Sequence, residues 1–350
     1  KEVKAGRVDM SAMRAMINKK AGRNVAHDLR EDNPTEVKQW IPTGSRWLDS
    51  IICKGKYAGI PVGKITELAG LESTGKSFLA AQCAANAQKM GIGVIYFDSE
   101  SAIDPTFLEK AGCDLGGMMY IQAQSVEFVL ETIEELLGAA DGQLLFIWDS
   151  LAFTPAVSDV EGDFNPQSSF AVKARILAKA MSKLVIPLAD KKATFLVLNQ
   201  LKTNIGVMFG DNRVEPGGKA LPYHASSRIW LTQHKGKANG QILNEKKQVI
   251  GFHTSAKTMK SRFGPSPRSC QFDVLFDLAN DRVGVDDEGS WLTAIAGTPD
   301  CIRSGAWYTI NVDGEDKKFQ SKDFSKLLED SKFKEKVLDI LEDECRIGKK

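Results

Sequence analysis

The sequence is short of several things, and each shortage removes a class of protein. Its 350 residues include six cysteines and four histidines. Cys53, Cys83, Cys113, Cys270, Cys301 and Cys345 form no CxxC pair and have no histidine nearby, which indicates neither a zinc site nor a disulfide framework. They are expected to be reduced, several of them as core packers. Long apolar runs are missing too. The most apolar windows, LLFIW and FLVL, are far too short to span a bilayer, and the opening KEVKAGRVDM has no apolar signal region. The expectation is a cytoplasmic protein with no membrane partner. Lys1 is not a methionine, so the first residue need not be the natural start.

A net charge of +1 points to no partner by itself, and 43% hydrophobic with 26% charged residues is the composition of a soluble globular protein. The charge is unevenly spread. Between Pro216 and Phe272 one acidic residue, Glu245, faces ten basic ones, leaving −8 on the rest of the chain. Phe209, Tyr223, Trp230, Phe252 and Phe263 lie among or beside these charges. The stretch reads either as a solvated β-rich surface or as a track for a polyanion, the second being favoured by the length of the acid-free run.

What is present begins with KITELAGLESTGKS, Lys64 to Ser77. A short apolar strand (Ile65, Leu68, Ala69) runs into Gly70, then four residues, then Gly75, Lys76 and Ser77, with a helix-forming run behind. This is the P-loop order of strand, GxxxxGK(S/T) and helix. Glycines let successive N–H groups wrap a phosphate while the helix points its positive end at it. Lys76 is placed to reach the β and γ phosphates, and Ser77 to offer a hydroxyl to Mg²⁺.

Around the P-loop, apolar runs without clean alternation are separated by helical segments, which predicts a parallel sheet buried on both faces. Residues 60 to 200 therefore read as a doubly wound α/β core with ligands at the strand C-termini. Polar groups stand there. Asp149 closes LLFIWD as a Walker B carboxylate would, and Asp98 and Glu100 close GVIYFDSE, where a carboxylate can activate water. Asn199 and Gln200 close TFLVLNQ, where an amide can touch a γ phosphate. The loop of about eighteen residues that follows, LKTNIGVMFGDNRVEPGG, carries Ile205, Val207, Met208 and Phe209 between glycines. It reads either as an apolar wedge for DNA bases or as a lid over the nucleotide. Met10, Met13, Met16 and Ile17 are at helical spacing, an amphipathic arm that either folds back on its own domain or packs on something else. After Asp286 come a GAWYTINVDGEDKKFQ hairpin with an Asp-Gly turn and helical segments from Lys322 to Arg346.

In IPTGSRWLDSI, GLESTGKS, YFDSESAIDP, LLFIWDSLAFTP, the NQ strand end with IGVMFG, GGKAL and GAWY, the chain resembles the RecA recombinases over nearly its whole length. The resemblance implies a RecA-type P-loop NTPase core with a mostly parallel doubly wound sheet (37–283), an N-terminal helical oligomerisation arm (1–36) and a small α+β C-terminal domain (284–350). It implies a Mg²⁺- and DNA-dependent ATPase that forms a helical homopolymer on single-stranded DNA, pairs it with homologous duplex and exchanges strands. A loading mediator and a single-strand binding protein are implied as further partners.

The resemblance also assigns residues. Gly70, Leu71, Glu72, Ser73, Thr74, Gly75, Lys76, Ser77 and Phe78 bind the nucleotide, with Asp104 and Phe107 at the base and Lys257 and Lys260 reaching in from a neighbour. Glu100 is the base, aided by Lys76 and Gln200, the γ-phosphate sensor; Ser77 and Asp149 hold Mg²⁺. DNA falls to Arg175 and to the second loop (Lys202 to Gly218), through Lys202, Asn204, Ile205, Gly206, Val207, Met208, Phe209, Arg213, Gly217 and Gly218. The first loop is Ser158 to Ser169. The chain departs from the family at Phe107, where a tyrosine is usual, at Ser182 in place of an arginine, in the wording DFNPQSSF of the first loop, in the longer KTMKSRFGPSPR, and in a tail without a long acidic extension. Such divergence resembles phage-encoded members. The competing readings are a RecA-core hexameric helicase motor and an ATP-gated single-strand coating protein.

Overall fold

The computed structural model describes residues 8–53, 59–101, 103–161, 169–203, 213–233, 240–280 and 282–345, which fall into two compact units, 1–38 and 39–350. In the first unit, helix α1 (Met10–Ala21) starts where the Asp9 carboxylate accepts the Ser11 and Ala12 N–H groups, and it ends at Gly22 in the left-handed conformation. None of its residues is buried, and Met10, Met13, Met16 and Ile17 are all exposed. Behind it, Asn18 accepts the N–H groups of Val25 and Ala26, and Arg14 pairs with Asp28 at 3.1 Å.

The second unit opens with β1 (Trp40–Ile41), α2 (Arg46–Ile52) and β2 (Ile60–Pro61), the two strands pairing antiparallel. Strand–helix alternation follows: β3 (Ile65–Gly70), α3 (Lys76–Lys89), β4 (Gly93–Asp98), α4 (Pro105–Lys110), β5 (Met118–Gln122), α5 (Val126–Ala139), β6 (Leu144–Asp149), α6 (Val157–Glu161), α7 (Ser169–Asp190) and β7 (Thr194–Gln200). A two-residue ladder, β8 (Lys202–Thr203) against β9 (Arg213–Val214), closes the base of the long loop, and α8 (Ala220–His224) follows. Then come β10 (Ser227–Gln233), β11 (Gln241–Leu243), β12 (Val249–Ser261), β13 (Arg268–Asp277) and β14 (Arg282–Asp286).

These strands make a ten-stranded sheet in the order β14-β13-β12-β10-β3-β7-β6-β4-β5, with β11 beside β12. From β10 to β5 every neighbour is parallel; β11 to β14 join antiparallel. All six residues of β3 are buried, Thr66 and Glu67 together with the apolar ones. One face of the sheet packs on α2 and α3 through Leu48, Leu79, Ala84, Leu196 and Leu231, and the other on α5 and α7 through Val129, Ile133, Leu177, Met181 and Trp148.

The remainder is a small antiparallel sheet, β15 (Cys301–Ser304), β16 (Trp307–Val312) and β17 (Glu315–Gln320), with α9 (Asp287–Ile295), α10 (Phe324–Leu327) and α11 (Ser331–Cys345). It has its own core of Trp291, Ile310, Phe319, Phe333 and Ile340, to which Trp47 of α2 adds a partly buried ring. No described helix is long and apolar enough to cross a membrane.

Candidate functional site

Strand β3 delivers the chain into the phosphate loop at Gly70, where a Cβ would come within 2.6 Å of Thr74 Oγ1 and 2.8 Å of the Leu231 carbonyl oxygen. Gly75, at φ 93°, caps α3 in a conformation that side chains avoid. Thr74 Oγ1 donates to the Leu71 carbonyl at 2.9 Å. Two outside groups brace the loop: Gln233 Nε2 donates to the Ser73 carbonyl at 3.0 Å, and Thr254 Oγ1 to that of Thr74 at 3.3 Å. Lys76 folds back so that its Nζ donates to the carbonyls of Gly70 (3.2 Å) and Leu71 (2.7 Å). Burial lowers its pKa, against the pull of Asp149, Glu100 and Glu72. Leu71, Glu72 and Ser73 are exposed at the rim.

At the C-terminal end of β6, Asp149 Oδ2 accepts from Ser77 Oγ at 2.8 Å and from the Tyr96 hydroxyl at 2.9 Å. Burial raises its pKa; the two hydrogen bonds and Lys76 oppose that. A carboxylate this enclosed, with a hydroxyl beside it, suits a hard cation that also takes oxygens from a phosphate. Among the described residues no cluster of three or more His, Cys, Asp or Glu is placed to hold a metal ion.

The two carboxylates after β4 part company. Asp98 is buried and fully engaged: Oδ1 accepts the N–H groups of Glu100 and Ser101, and Oδ2 those of Ile103 and the Tyr120 hydroxyl. It shapes the turn and has no capacity left for water. Glu100 is exposed and faces the same cavity as Ser77 and Asp149. Its pKa is raised by partial burial first and by the charges of Asp149 and Asp98 next, the direction that suits a general base.

That cavity, about 520 Å³, runs from Ser77, Glu100 and Asp149 to an apolar end made by Phe78, Ile103, Phe107, Phe276, Leu278 and Val283. Phe78 and Phe107 meet edge to face at 4.5 Å. Asp104 caps α4 by accepting the Thr106 N–H at 2.9 Å, and both residues line the cavity. Sequence reasoning found Phe78, Asp104 and Phe107 but missed Phe276, Leu278 and Val283, which arrive from β13, its following turn and β14. Lys257 and Lys260 are not among the described residues lining the cavity. Lys257 is exposed on β12, and Lys260 Nζ donates to the carbonyls of Pro222 (2.9 Å) and Tyr223 (2.8 Å).

At the end of β7, Gln200 Nε2 donates to Glu72 Oε1 of the phosphate loop at 2.8 Å. Asn199, its neighbour, donates to Glu67 Oε1 and to the Pro216 carbonyl, both at 3.1 Å. Beyond β9, Gly217 (φ 97°) and Gly218 (φ 75°) pass so close to α7 that a Cβ would lie 3.0 Å from Leu177 and Ala174 respectively. Arg175, on the same helix, is exposed. Lys173 Nζ binds the carbonyls of Leu151, Ala152 and Thr154; burial, and Lys202 nearby, bring its pKa down to about 8, although Asp159 opposes. Lys202 is exposed and the Arg213 guanidinium lies 4.8 Å over the Trp230 ring. Asn204, Ile205, Gly206, Val207, Met208 and Phe209 lie outside the described residues, as does most of the first loop.

The basic stretch needs a correction. Arg228 is not a surface charge, because it pairs with the fully buried Glu67 at 2.7 Å and with Glu215. Arg268 turns inward as well, donating to the carbonyls of Ser50 and Cys53. The charge of this acid-poor run is thus partly offset by Glu67 and Glu215, and Arg268 is turned towards backbone carbonyls.

The family described as the RecA N-terminal domain matches residues 8–280. The chain belongs to the RecA family. Similar proteins called Protein RecA include that of Symbiobacterium thermophilum, 32% identical over 308 residues covering 86% of this chain and 82% of the relative. That of Bifidobacterium breve is 33% identical over 301 residues, covering 85% and 72%. That of Streptomyces avermitilis is 32% identical over 306 residues, covering 87% and 76%. The RecA match spans the phosphate loop, Glu100, Asp149, Gln200, Phe276 and Leu278.

Proposed function

We propose that this chain is an ATP-dependent homologous recombinase that assembles as a helical filament on single-stranded DNA, pairs it with a homologous duplex and promotes strand exchange. Membership of the RecA family supports the reading. The observation that carries it is the convergence of Ser77, Asp149 and Glu100 on one cavity, with Gln200 bonded to the rim of the same phosphate loop.

In this reading the phosphate loop and Lys76 hold ATP, and the base lies against Phe107 with Asp104 at its edge. Ser77 and Asp149 hold Mg²⁺, which when bound neutralises developing charge on the phosphates. Glu100 takes the proton of the attacking water. Lys76 exchanges its carbonyl partners for phosphate oxygens, and Gln200 exchanges Glu72 for the γ phosphate. The strand carrying Gln200 runs directly into the segment from Lys202 to Gly218, so occupancy of the site biases the segment proposed to grip DNA together with Arg175. Lys257 and Lys260 of a neighbouring subunit complete the site, and the exposed face of α1 docks on a neighbour. Such head-to-tail contacts extend as a filament. The proposed domains are 1–36, 37–283 and 284–350, the partners are DNA, further copies, a loading mediator and a single-strand binding protein, and the compartment is the cytoplasm of a bacterium or of a phage host.

Electron microscopy with single-stranded DNA and a non-hydrolysable ATP analogue tests the assembly. Continuous helical filaments are expected; closed rings would favour the helicase motor instead.

A further inference from the structure

Asn199 and Gln200 are consecutive in β7 and point to opposite faces of the sheet. Gln200 reaches the phosphate loop; Asn199, on the far face, holds Glu67 and the Pro216 carbonyl. Glu67 lies in β3, three residues before the phosphate loop, with no exposed surface. Directly beside it in register is Arg228 of β10, whose Nε donates to Glu67 Oε2 at 2.7 Å. The same guanidinium donates to Glu215, and Glu215 also accepts Trp230 Nε1 at 2.7 Å. Arg213 covers the ring of Trp230. The segment from Arg213 to Pro216 is therefore fastened to β10 through Glu215 and Arg213 and to β7 through Pro216, and Glu67 of β3 holds both Arg228 and Asn199 from behind.

Glu67 has no exposed surface, and a buried carboxylate that needs its own cation is costlier to bury than an aliphatic residue of similar volume. Two carboxylates share one guanidinium here, and Glu67 is pushed towards the protonated form by burial and by Glu215. Such a group is held in place by the others, and a displacement of any member alters the demand on Arg228. Neither Glu67, Arg228 nor Glu215 is among the described residues lining the nucleotide cavity.

We propose that Glu67, Arg228 and Glu215 are positioning residues that couple the nucleotide state sensed at the end of β7 to the segment leaving the second DNA loop, with Arg228 at their centre. The inference rests on the recombinase reading above. Lysine cannot replace Arg228, because an ammonium lacks the planar fork that serves both carboxylates at once.

The test compares the full-length parent with Arg228→Lys, Arg228→Met and Glu215→Gln. Each is assayed for thermal unfolding, affinity for a fluorescent ATP analogue, ATP turnover without DNA, and turnover with single-stranded DNA. Glu215→Gln keeps an acceptor for Trp230 and serves as the folded variant if Arg228→Met does not fold. The expected result is unchanged nucleotide affinity and DNA-free turnover, with stimulation by DNA reduced about tenfold. Normal stimulation in a folded variant overturns the inference, as does a parallel loss of nucleotide affinity and DNA-free turnover, which marks a structural role only. A parent without any stimulation overturns the recombinase reading itself.

Discussion

Glu100 and Asp98 stand two residues apart after one strand, and their surroundings give them different work. Asp98 accepts from three N–H groups of the turn and from Tyr120 of β5, whereas Glu100 lines the cavity and has a raised pKa. Glu100→Gln is expected to lower ATP turnover by about a hundredfold or more while leaving nucleotide affinity unchanged; unchanged turnover in a steady-state assay would remove Glu100 from the mechanism. Asp49 offers a test of a different kind. Its carboxyl accepts from Thr43 N and Oγ1, yet burial pushes it up to about 7 from the ordinary 3.8. Between those values the folded chain holds a proton that the unfolded chain has released, so this contribution favours folding at low pH and is lost as pH rises through about 7. Asp49→Asn has no such proton to lose. Its stability relative to the parent should therefore increase from pH 5 to pH 8 by a few kcal/mol, roughly, in urea titrations; a pH-independent difference would contradict the assignment. Legibility at this scale follows sequence distance. The phosphate loop could be read because its chemistry is local, while Arg228 read as a surface cation because its partners lie 161 and 13 residues away.

Elements show the same division. The Asp313–Gly314 turn between β16 and β17 was readable from two residues, and both adopt positive φ, 53° and 92°. A Cβ at Gly314 meets nothing within 4 Å, so Gly314→Val tests backbone strain alone. It is expected to cost about 1–2 kcal/mol in chemical denaturation; no loss would mean that the turn tolerates another conformation. Strands β4, β6 and β7 are legible as elements because buried parallel strands leave apolar runs between helices, whereas β5 is an edge strand without a buried residue. The wall of Phe276, Leu278 and Val283 was not legible, since β13 shows the pattern of an ordinary antiparallel strand and nothing in it marks a cavity. The sequence shows Leu201 to Gly218 as one long loop, and the β8–β9 ladder at its base is not legible there because two residue pairs leave no periodicity. In α1 the spacing of Met10, Met13, Met16 and Ile17 was clear, and all four are exposed.

At the scale of the molecule, the parallel order β10-β3-β7-β6-β4-β5 brings the ends of β3, β4, β6 and β7 to one edge, and with them the phosphate loop, Glu100, Asp149 and Gln200. The sequence suggested that these ends converge but not which strands are neighbours, because strand order depends on crossovers that leave no local trace. The antiparallel extension then supplies part of the apolar end of the cavity through β13, its following turn and β14, so the cavity draws on both parts of the sheet. The path from Gln200 to the segment at Pro216 is short, through a single pair of adjacent residues in β7. In the proposed function, nucleotide turnover and DNA binding are coupled along this path. The most direct test of this coupling is the steady-state rate of ATP hydrolysis by the full chain with and without single-stranded DNA. Hydrolysis markedly faster with DNA is the predicted result, and a rate indifferent to DNA would contradict the account.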